Sequence, residues 1–250
     1  TALIDELCEV VPAVKVQAAY YEMYGVEGMK TLYQTVEYAK KKGLYVIVDG
    51  KRNDIGSTAE AYSCGWLGKT QIGTTSEAMS GADCLTVNPY LGSDGILPFV
   101  KDCKTYDKGI FALVKTSNPS SGELQDLLID RKPLYEKVAE LVSGWGADNI
   151  GAYGYSAVGA VVGATYPQQA KKLRAAMKHT YFLVPGYGAQ GAGAADVAVS
   201  FDKEGLGAIV NSSRAIMCAY KKTGDEKHFA KAAKDEAVNM AKAINAAIGR

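Results

Sequence analysis

The sequence predicts an α/β fold, a (β/α)8 TIM barrel. Seven short segments rich in Val, Ile and Leu alternate with amphipathic stretches of helical period. Their nearly continuous hydrophobicity is typical of parallel strands that are buried on both faces. Polar and glycine-rich residues follow almost every one of these segments. Functional loops of barrels lie at that end of the strands, so this pattern favours a barrel.

The predicted strands share this composition, and they occupy residues 13–17, 44–50, 83–89, 109–115, 157–163, 181–186 and 207–212. Consecutive strands lie about 25–40 residues apart, which is the length of a βα unit. Helices are predicted between them because several intervening segments begin at Pro or end at Gly. The clearest of these helices occupy residues 28–43, 133–146, 167–179 and 226–249.

The first residues, TALIDELCEVV, have apolar side chains at positions 3, 4, 7, 10 and 11 and predict a helix. A (β/α)8 barrel requires one strand before that helix, so we expect the first strand to be missing from this chain. No linker or internal repeat interrupts the sequence, which predicts one barrel domain over residues 1–250, incomplete at its N-terminus. The alternative is an open doubly wound sheet, which would concentrate its functional loops at one switch point.

Composition excludes several classes of protein. The net charge is +1, from 28 basic and 27 acidic residues, so no basic excess indicates nucleic-acid binding. Five cysteines without a C-x-x-C spacing argue against a disulfide framework or a zinc site and indicate a reducing compartment. The sequence has no signal peptide and no apolar run of about 18 residues, so we expect a cytoplasmic protein without a membrane segment.

A cluster of charges marks the end of the second predicted strand. Asp49, Lys51 and Asp54 form the pattern D-x-K-x-x-D, and alternation places the first two on the same face of the strand end. Lys15 lies inside an apolar strand, where its head cannot easily reach solvent. The alternative is a structural ion pair, but the carboxyl ends of barrel strands are where catalytic residues occur. The pattern predicts a fixed negative charge beside a fixed proton donor.

Two further segments favour nucleotide recognition. GYGAQGAG (186–193) and NSSRAI (211–216) follow the last two strands, where barrels commonly bind phosphate through backbone N–H groups. Arg214 can bind phosphate oxygens in a bidentate manner. The segment VKTSNPSSGELQ (114–125) is rich in hydroxyl and amide groups that could bind the edge of a heterocycle, although a plain turn explains it equally well.

Six motifs in order, DGKRNDIGST, TVNPYLGSD, LVKTSNPSS, GAVVGAT, LVPGYGAQG and NSSRAI, resemble the orotidine 5′-phosphate decarboxylase family. The resemblance is to its longer bacterial branch, type 2, which is similar to the malarial enzymes, and it runs from about Val11 to Ile216. Two departures are the absent first strand, with its ribose-binding Asp, and Val16 where Pro is usual in this branch.

The resemblance implies a carboxy-lyase that converts orotidine 5′-phosphate to UMP in pyrimidine biosynthesis, without a cofactor or metal ion. It implies a homodimer with shared active sites, in which the partner subunit supplies one Asp and one Thr. The catalytic residues it implies are Lys15, Asp49, Lys51 and Asp54, and the substrate-binding residues are Thr58, Thr116, Ser117, Pro185, Gln190 and Arg214.

Two alternatives remain open. One is a sugar-phosphate decarboxylase or aldolase of the same barrel suprafamily, which would need Mg²⁺ and an acidic ligand on the preceding strand. That strand carries Lys15 here, and its charge would repel a divalent cation. The other alternative is a nucleotide-binding barrel without catalytic activity.

Overall fold

Seven parallel strands form a nearly closed barrel in a computed structural model that describes residues 1–188 and 190–250. They neighbour one another in chain order, and their bounds are β1 (Ala13–Gln17), β2 (Tyr45–Arg52), β5 (Cys84–Val87), β6 (Gly109–Lys115), β9 (Ser156–Val162), β10 (Thr180–Pro185) and β11 (Ala208–Asn211). The predicted α/β barrel class is confirmed, and every predicted strand is present with its ends shifted by no more than about two residues. The eighth strand stays a prediction.

Helices connect the strands and cover the outer face of the sheet, and their bounds are α1 (Ala2–Leu7), α2 (Ala19–Glu22), α3 (Gly25–Lys41), α4 (Gly56–Trp66), α5 (Ser93–Tyr106), α6 (Gly122–Gln125), α7 (Leu134–Gly146), α8 (Pro167–Ala176), α9 (Ala194–Ala198), α10 (Ser213–Met217) and α11 (Phe229–Ala247). All the predicted helices are present. None of the helices in the described part of the chain is long and apolar enough to cross a membrane.

Two small antiparallel hairpins were not predicted. They pair β3 (Thr70–Ile72) with β4 (Thr75–Glu77), and β7 (Leu128–Ile129) with β8 (Lys132–Pro133). Their strands are two or three residues long and mostly exposed, so they lack the apolar pattern by which strands are recognised.

Two apolar clusters lie on the two faces of the sheet. The larger fills the space between the sheet and the helices. The smaller lies inside the barrel, where strands contribute the buried residues Ile47, Cys84, Phe111, Val161 and Leu183. Because side chains alternate along a strand, this inner layer fixes which later residues of each strand point into the mouth of the barrel.

The register of the first two strands determines which side chains lie directly above that inner layer. Lys15 on β1 pairs with Ile47 on β2, and Gln17 pairs with Asp49. Asp49 comes two residues after an inner-layer residue and therefore lies on the same inner face. The side chains of Lys15, Gln17 and Asp49 therefore come together above the inner layer, at the carboxyl ends of these two strands.

The inner layer is tightly packed around Gly159. A Cβ there would lie 2.5 Å from Cδ1 of Phe111 and 2.8 Å from the backbone oxygen of Tyr181. We expect Gly159→Ala to lower the free energy of unfolding by about 1–3 kcal/mol, because both neighbours must move. Gly144→Ala is the control, since it lies in α7 with nothing within 4 Å of a new Cβ. Urea unfolding measures both, and equal stability of the two variants would contradict this packing.

Candidate active site

The buried carboxylate of Asp49 is the centre of the candidate site. Lys15 Nζ lies 2.6 Å from its Oδ2, and Lys51 Nζ lies 2.6 Å from its Oδ1. Gln17 Nε2 donates to Oδ2 at 2.9 Å, and the Thr86 hydroxyl donates to Oδ1 at 2.9 Å. We call Lys15, Asp49 and Lys51 the charged triad. Each carboxylate oxygen thus accepts from one ammonium and one neutral donor, which fixes its orientation.

The triad holds Asp49 ionised although its side chain is only 9% exposed. Burial alone would raise the pKa of the carboxyl. The Lys15 charge and the hydrogen bonds from Lys15 and Lys51 outweigh that effect and lower the pKa from 3.8 to about 2. The carboxylate therefore keeps its negative charge at any physiological pH.

The two lysines of the triad differ in exposure. The Lys15 side chain is 10% exposed, whereas that of Lys51 is 48% exposed. Asp49 and Lys51 line a cavity of about 490 Å³ at the carboxyl ends of β1 and β2, together with Gln17 and Tyr20. Lys51 is thus the ammonium of the triad that a molecule in the cavity can reach, and Lys15 holds the carboxylate from behind.

The backbone of β2 is distorted at Lys51. Its φ angle is +47°, in the left-handed region that side chains other than Gly rarely adopt. The register between β2 and β5 shifts between Val48 and Arg52. The Lys51 N–H donates to the Thr86 hydroxyl at 2.9 Å, so the same Thr holds both the carboxylate and the strained backbone. Backbone strain of this kind often occurs at functional sites.

Arg52 fixes the strand end directly after the triad, and the sequence patterns did not single it out. Its guanidinium pairs with Glu22 of α2 and donates to the backbone oxygen of Gly50 at 3.1 Å. It also lies over the rings of Tyr62 and Trp66 of α4, at 5.9 and 5.6 Å. The side chain therefore joins β2 to the segments that follow β1 and β2.

Asp54 and Thr58 lie after the triad, Asp54 before α4 and Thr58 within its first turn. Asp54 Oδ1 accepts from the N–H of Ile55 at 2.8 Å. Within the described residues of this chain, Asp54 has no hydrogen bond or salt bridge to the triad. Thr58 is exposed in the first turn of α4. The structure therefore brings Lys15, Asp49 and Lys51 together and leaves Asp54 and Thr58 apart from them.

A second group of predicted residues surrounds Ser117, after β6. Gly163 follows β9 and has no room for a side chain, because a Cβ would lie 2.8 Å from the Cα of Ser117. At Gly186, a Cβ would lie 3.1 Å from Gln190 Oε1 and 3.5 Å from the Cβ of Ser117. Ser117 and Gln190 therefore both lie beside Gly186, and Pro185 is half-buried directly before that glycine.

The hydroxyl of Thr116 takes part in bonds within its own loop. It accepts from Gln125 Nε2 at 2.7 Å and donates to Asn118 Oδ1 at 2.6 Å. The Thr116 N–H donates to Gln125 Oε1 at 2.9 Å. A direct contact from this hydroxyl to a substrate stays a prediction, and the bonds seen here hold the loop in shape.

The two loops predicted to bind phosphate lie against each other. A Cβ at Gly188 would lie 3.2 Å from the Cβ of Ala215, and the Ser212 hydroxyl donates to the Tyr187 oxygen at 3.1 Å. Arg214 is exposed in the first turn of α10. Gly188 has a φ of +75°, which a residue with a side chain rarely adopts. Ala189 of this loop lies outside the described residues.

The described residues contain no group of three His, Cys, Asp or Glu side chains arranged to hold a metal ion. What the site offers is a fixed pair of opposite charges on β2 and a polar surface on the loops after β6, β10 and β11. An ammonium held beside a carboxylate can stabilise a developing negative charge and donate a proton to it.

The stability of the protein in acid should depend on the protonation of the Asp49 carboxylate. A lowered carboxyl pKa stabilises the folded state above the unfolded value, and this contribution is lost as the pH falls through the folded value. The change from 3.8 to about 2 corresponds to about 2 kcal/mol. We therefore expect the stability difference between the unmodified protein and Asp49→Asn to shrink by about 2 kcal/mol from about pH 4 to about pH 2. Urea unfolding measures it, and a constant difference would contradict the lowered pKa.

Comparisons with known proteins identify the family of the chain. The sequence profile described as the "Orotidine 5'-phosphate decarboxylase / HUMPS family" matches residues 1–228. The orotidine 5'-phosphate decarboxylase of Caldicellulosiruptor bescii is 48% identical over 246 residues, covering 98% of this chain and 80% of that protein.

Two solved structures from Leishmania donovani share the fold. OMP decarboxylase matches with a TM-score of 0.78 at 31% identity, covering 99% of this chain and 86% of that one. UMP synthase matches with a TM-score of 0.79 at 33% identity and covers 98% of this chain. The match covers 48% of UMP synthase, so the chain spans about half the length of that protein. The resemblance predicted from the motifs is confirmed, and the chain belongs to the orotidine 5′-phosphate decarboxylase / HUMPS family.

Proposed function

We propose that this protein decarboxylates orotidine 5′-phosphate to UMP, the last step of pyrimidine nucleotide synthesis, without a cofactor. The observation that carries the proposal is the buried Asp49 carboxylate between two ammonium groups, one of which faces the cavity. Family membership supports the same reaction.

The reaction needs a positively charged group close to C6, the carbon that loses CO₂. Breaking the bond between C6 and the carboxylate releases CO₂ and leaves an electron pair on C6 of the pyrimidine. The Lys51 ammonium can stabilise that charge and then give its proton to C6, and water restores the proton to the lysine. Asp49 holds the ammonium in place, and because it is ionised it cannot compete as a proton donor. Lys15 keeps that carboxylate charged in its buried position.

The remaining predicted residues fit the rest of the nucleotide. Ser117, with Thr116 beside it, is proposed to bind the edge of the pyrimidine, with Pro185 lining the pocket. Gln190 and Arg214 are proposed to bind the phosphate, next to backbone N–H groups of the glycine-rich loop. Phosphate binding far from C6 can supply energy for positioning the reacting ring.

We also propose a homodimer with shared active sites, in which Asp54 and Thr58 serve the site of the partner subunit. Asp54 makes no hydrogen bond or salt bridge with the triad of its own chain within the described residues. Tyr20, which lines the cavity, is 71% exposed, and Ile55 beside Asp54 is 54% exposed. Large apolar side chains exposed near a charged cavity support a surface that a second copy covers.

A cytoplasmic location and a single barrel domain over residues 1–250 belong to the same proposal. Five free thiols, two of them buried, support a reducing compartment. The rival Mg²⁺-dependent sugar-phosphate enzyme is less well supported, because the Lys15 ammonium occupies the strand where that chemistry needs an acidic ligand.

Incubation with orotidine 5′-phosphate in the presence of EDTA tests the reaction, with the loss of its absorbance as the readout. We expect turnover in the unmodified protein and almost none in Lys51→Ala, whose affinity for UMP should remain largely intact, because the ammonium acts where charge develops.

Arg214→Ala should instead raise the Michaelis constant by about one to two decades, because it removes a charged hydrogen bond to the phosphate.

Each other outcome has a definite meaning. Turnover that requires Mg²⁺ would favour the sugar-phosphate rival, and nucleotide binding without turnover would favour a non-catalytic barrel. A loss of only a few-fold in Lys51→Ala would remove Lys51 as proton donor. An unchanged Michaelis constant in Arg214→Ala would place the phosphate elsewhere.

Mixed dimers test the shared site. Lys51→Ala and Asp54→Ala proteins should each be almost inactive alone. When the two are unfolded and refolded together, about half the dimers should be mixed, and each mixed dimer has one site with both lesions and one with neither. About a quarter of the unmodified activity should therefore return.

The control for this experiment is the mass of the refolded dimers. If mixed dimers form and the mixture stays inactive, the shared site is refuted, and Asp54 acts only within its own subunit. A mixture of Lys51→Ala with Asp49→Asn should stay inactive in either case, because both residues belong to the triad of one chain.

A further inference from the structure

We infer that Lys115 is a positioning residue that holds loop 116–126 in the shape needed to present Ser117 to the pyrimidine. This inference rests on the proposed function. Lys115 is the last residue of β6, and loop 116–126 follows it directly. No sequence pattern singled it out beyond its place in the segment VKTSNPSS.

The Lys115 side chain is fully buried, with 0% exposure, and it is still fully partnered. Its Nζ lies 2.8 Å from Asp126 Oδ1 and 3.2 Å from the Ser121 hydroxyl. It also lies 4.6 Å from the ring centre of Tyr166 and 5.7 Å from that of Tyr135. Burying a cation away from water is unfavourable unless a complete set of partners offsets the loss of hydration.

The strand is distorted where Lys115 leaves it. Phe111 and Leu113 pack in the inner layer of the barrel, so simple alternation would direct Lys115 inward as well. The register between β6 and β9 shifts between Leu113 and Lys115. The ammonium instead lies near Tyr135 of α7, which belongs to the apolar cluster between the sheet and the helices, and near Tyr166, directly before α8. The Lys115 ammonium points away from the cavity because it binds residues of the loop rather than the substrate.

The partners of Lys115 close the loop on itself. Ser121 lies six residues and Asp126 eleven residues beyond it, so one ammonium joins the beginning, middle and end of loop 116–126. Asp126 also lies 3.5 Å from Gln169 Nε2 of α8. The loop is therefore fixed to β6 and to the helix layer at once.

Ser117 lies inside this closed loop. Its backbone oxygen accepts from the Thr165 hydroxyl at 3.1 Å, and Gly163 leaves it no clearance to shift inward. The position of the Ser117 side chain beside Gly186 therefore depends on the loop around it. Loss of the Lys115 anchor should move the Ser117 hydroxyl relative to the ring while the phosphate loops, after β10 and β11, keep their positions.

The test compares two ligands that differ by the heterocycle. UMP carries the pyrimidine and the phosphate, whereas ribose 5-phosphate lacks the ring. In Lys115→Met we expect UMP affinity to fall by about ten-fold, the value of one well-made hydrogen bond, and ribose 5-phosphate affinity to stay within about two-fold. Lys172→Met is the control, since it breaks a surface ion pair with Glu136 and should change neither affinity.

A second variant covers the case in which Lys115→Met fails to fold. Asp126→Asn removes the charge of the side chain but keeps its shape and one acceptor oxygen. It should therefore show a smaller fall in UMP affinity, again without a matching fall in ribose 5-phosphate affinity. Equal losses for both ligands, or no loss for either, would overturn the positioning role. If the unmodified protein neither binds UMP nor turns over orotidine 5′-phosphate, the proposed function fails instead.

Discussion

The carboxylate of Asp49 lies between the ammonium groups of Lys15 and Lys51, out of contact with most of the solvent. Neither a buried carboxylate nor a buried ammonium is stable alone, so the charges of Asp49 and Lys15 depend on each other, and the more exposed Lys51 adds a second ammonium to the same carboxylate. Gln17 and Thr86 complete the four bonds to the carboxylate from β1 and β5. Three neighbouring strands therefore have to meet in one register before the site exists, and the inner layer of the barrel sets that register.

The candidate site has two halves, and different interactions hold each half rigid. On the side of β1 and β2, opposite charges and one strained backbone angle fix the ammonium that faces the cavity. On the side of β6, a closed loop and close contact between Ser117 and Gly163 fix a polar surface. A reaction that develops charge at one ring carbon needs both, because the ring has to be held where the ammonium can reach it.

The strands and most helices could be predicted because their apolar patterns are local. The charges of Asp49 and Lys51 could be placed together for the same reason, since two residues of one strand share a face. Thr86, Arg52 and Lys115 could not be assigned from the sequence, because their roles come from contacts between residues far apart in the chain. The shift in register before Lys115 reverses the direction that alternation predicts, and the strands of the two hairpins are too short to show an apolar period.

The most direct test of the charged triad is the titration of the Asp49 carboxyl itself, by carbon NMR of protein labelled at the carboxyl carbon of Asp. We expect a midpoint near pH 2 in the unmodified protein. In Lys15→Met with Lys51→Met, burial is no longer opposed, and the midpoint should rise above the ordinary 3.8. A midpoint at or above about 4 in the unmodified protein would contradict the account, because the triad would then not be holding a fixed negative charge.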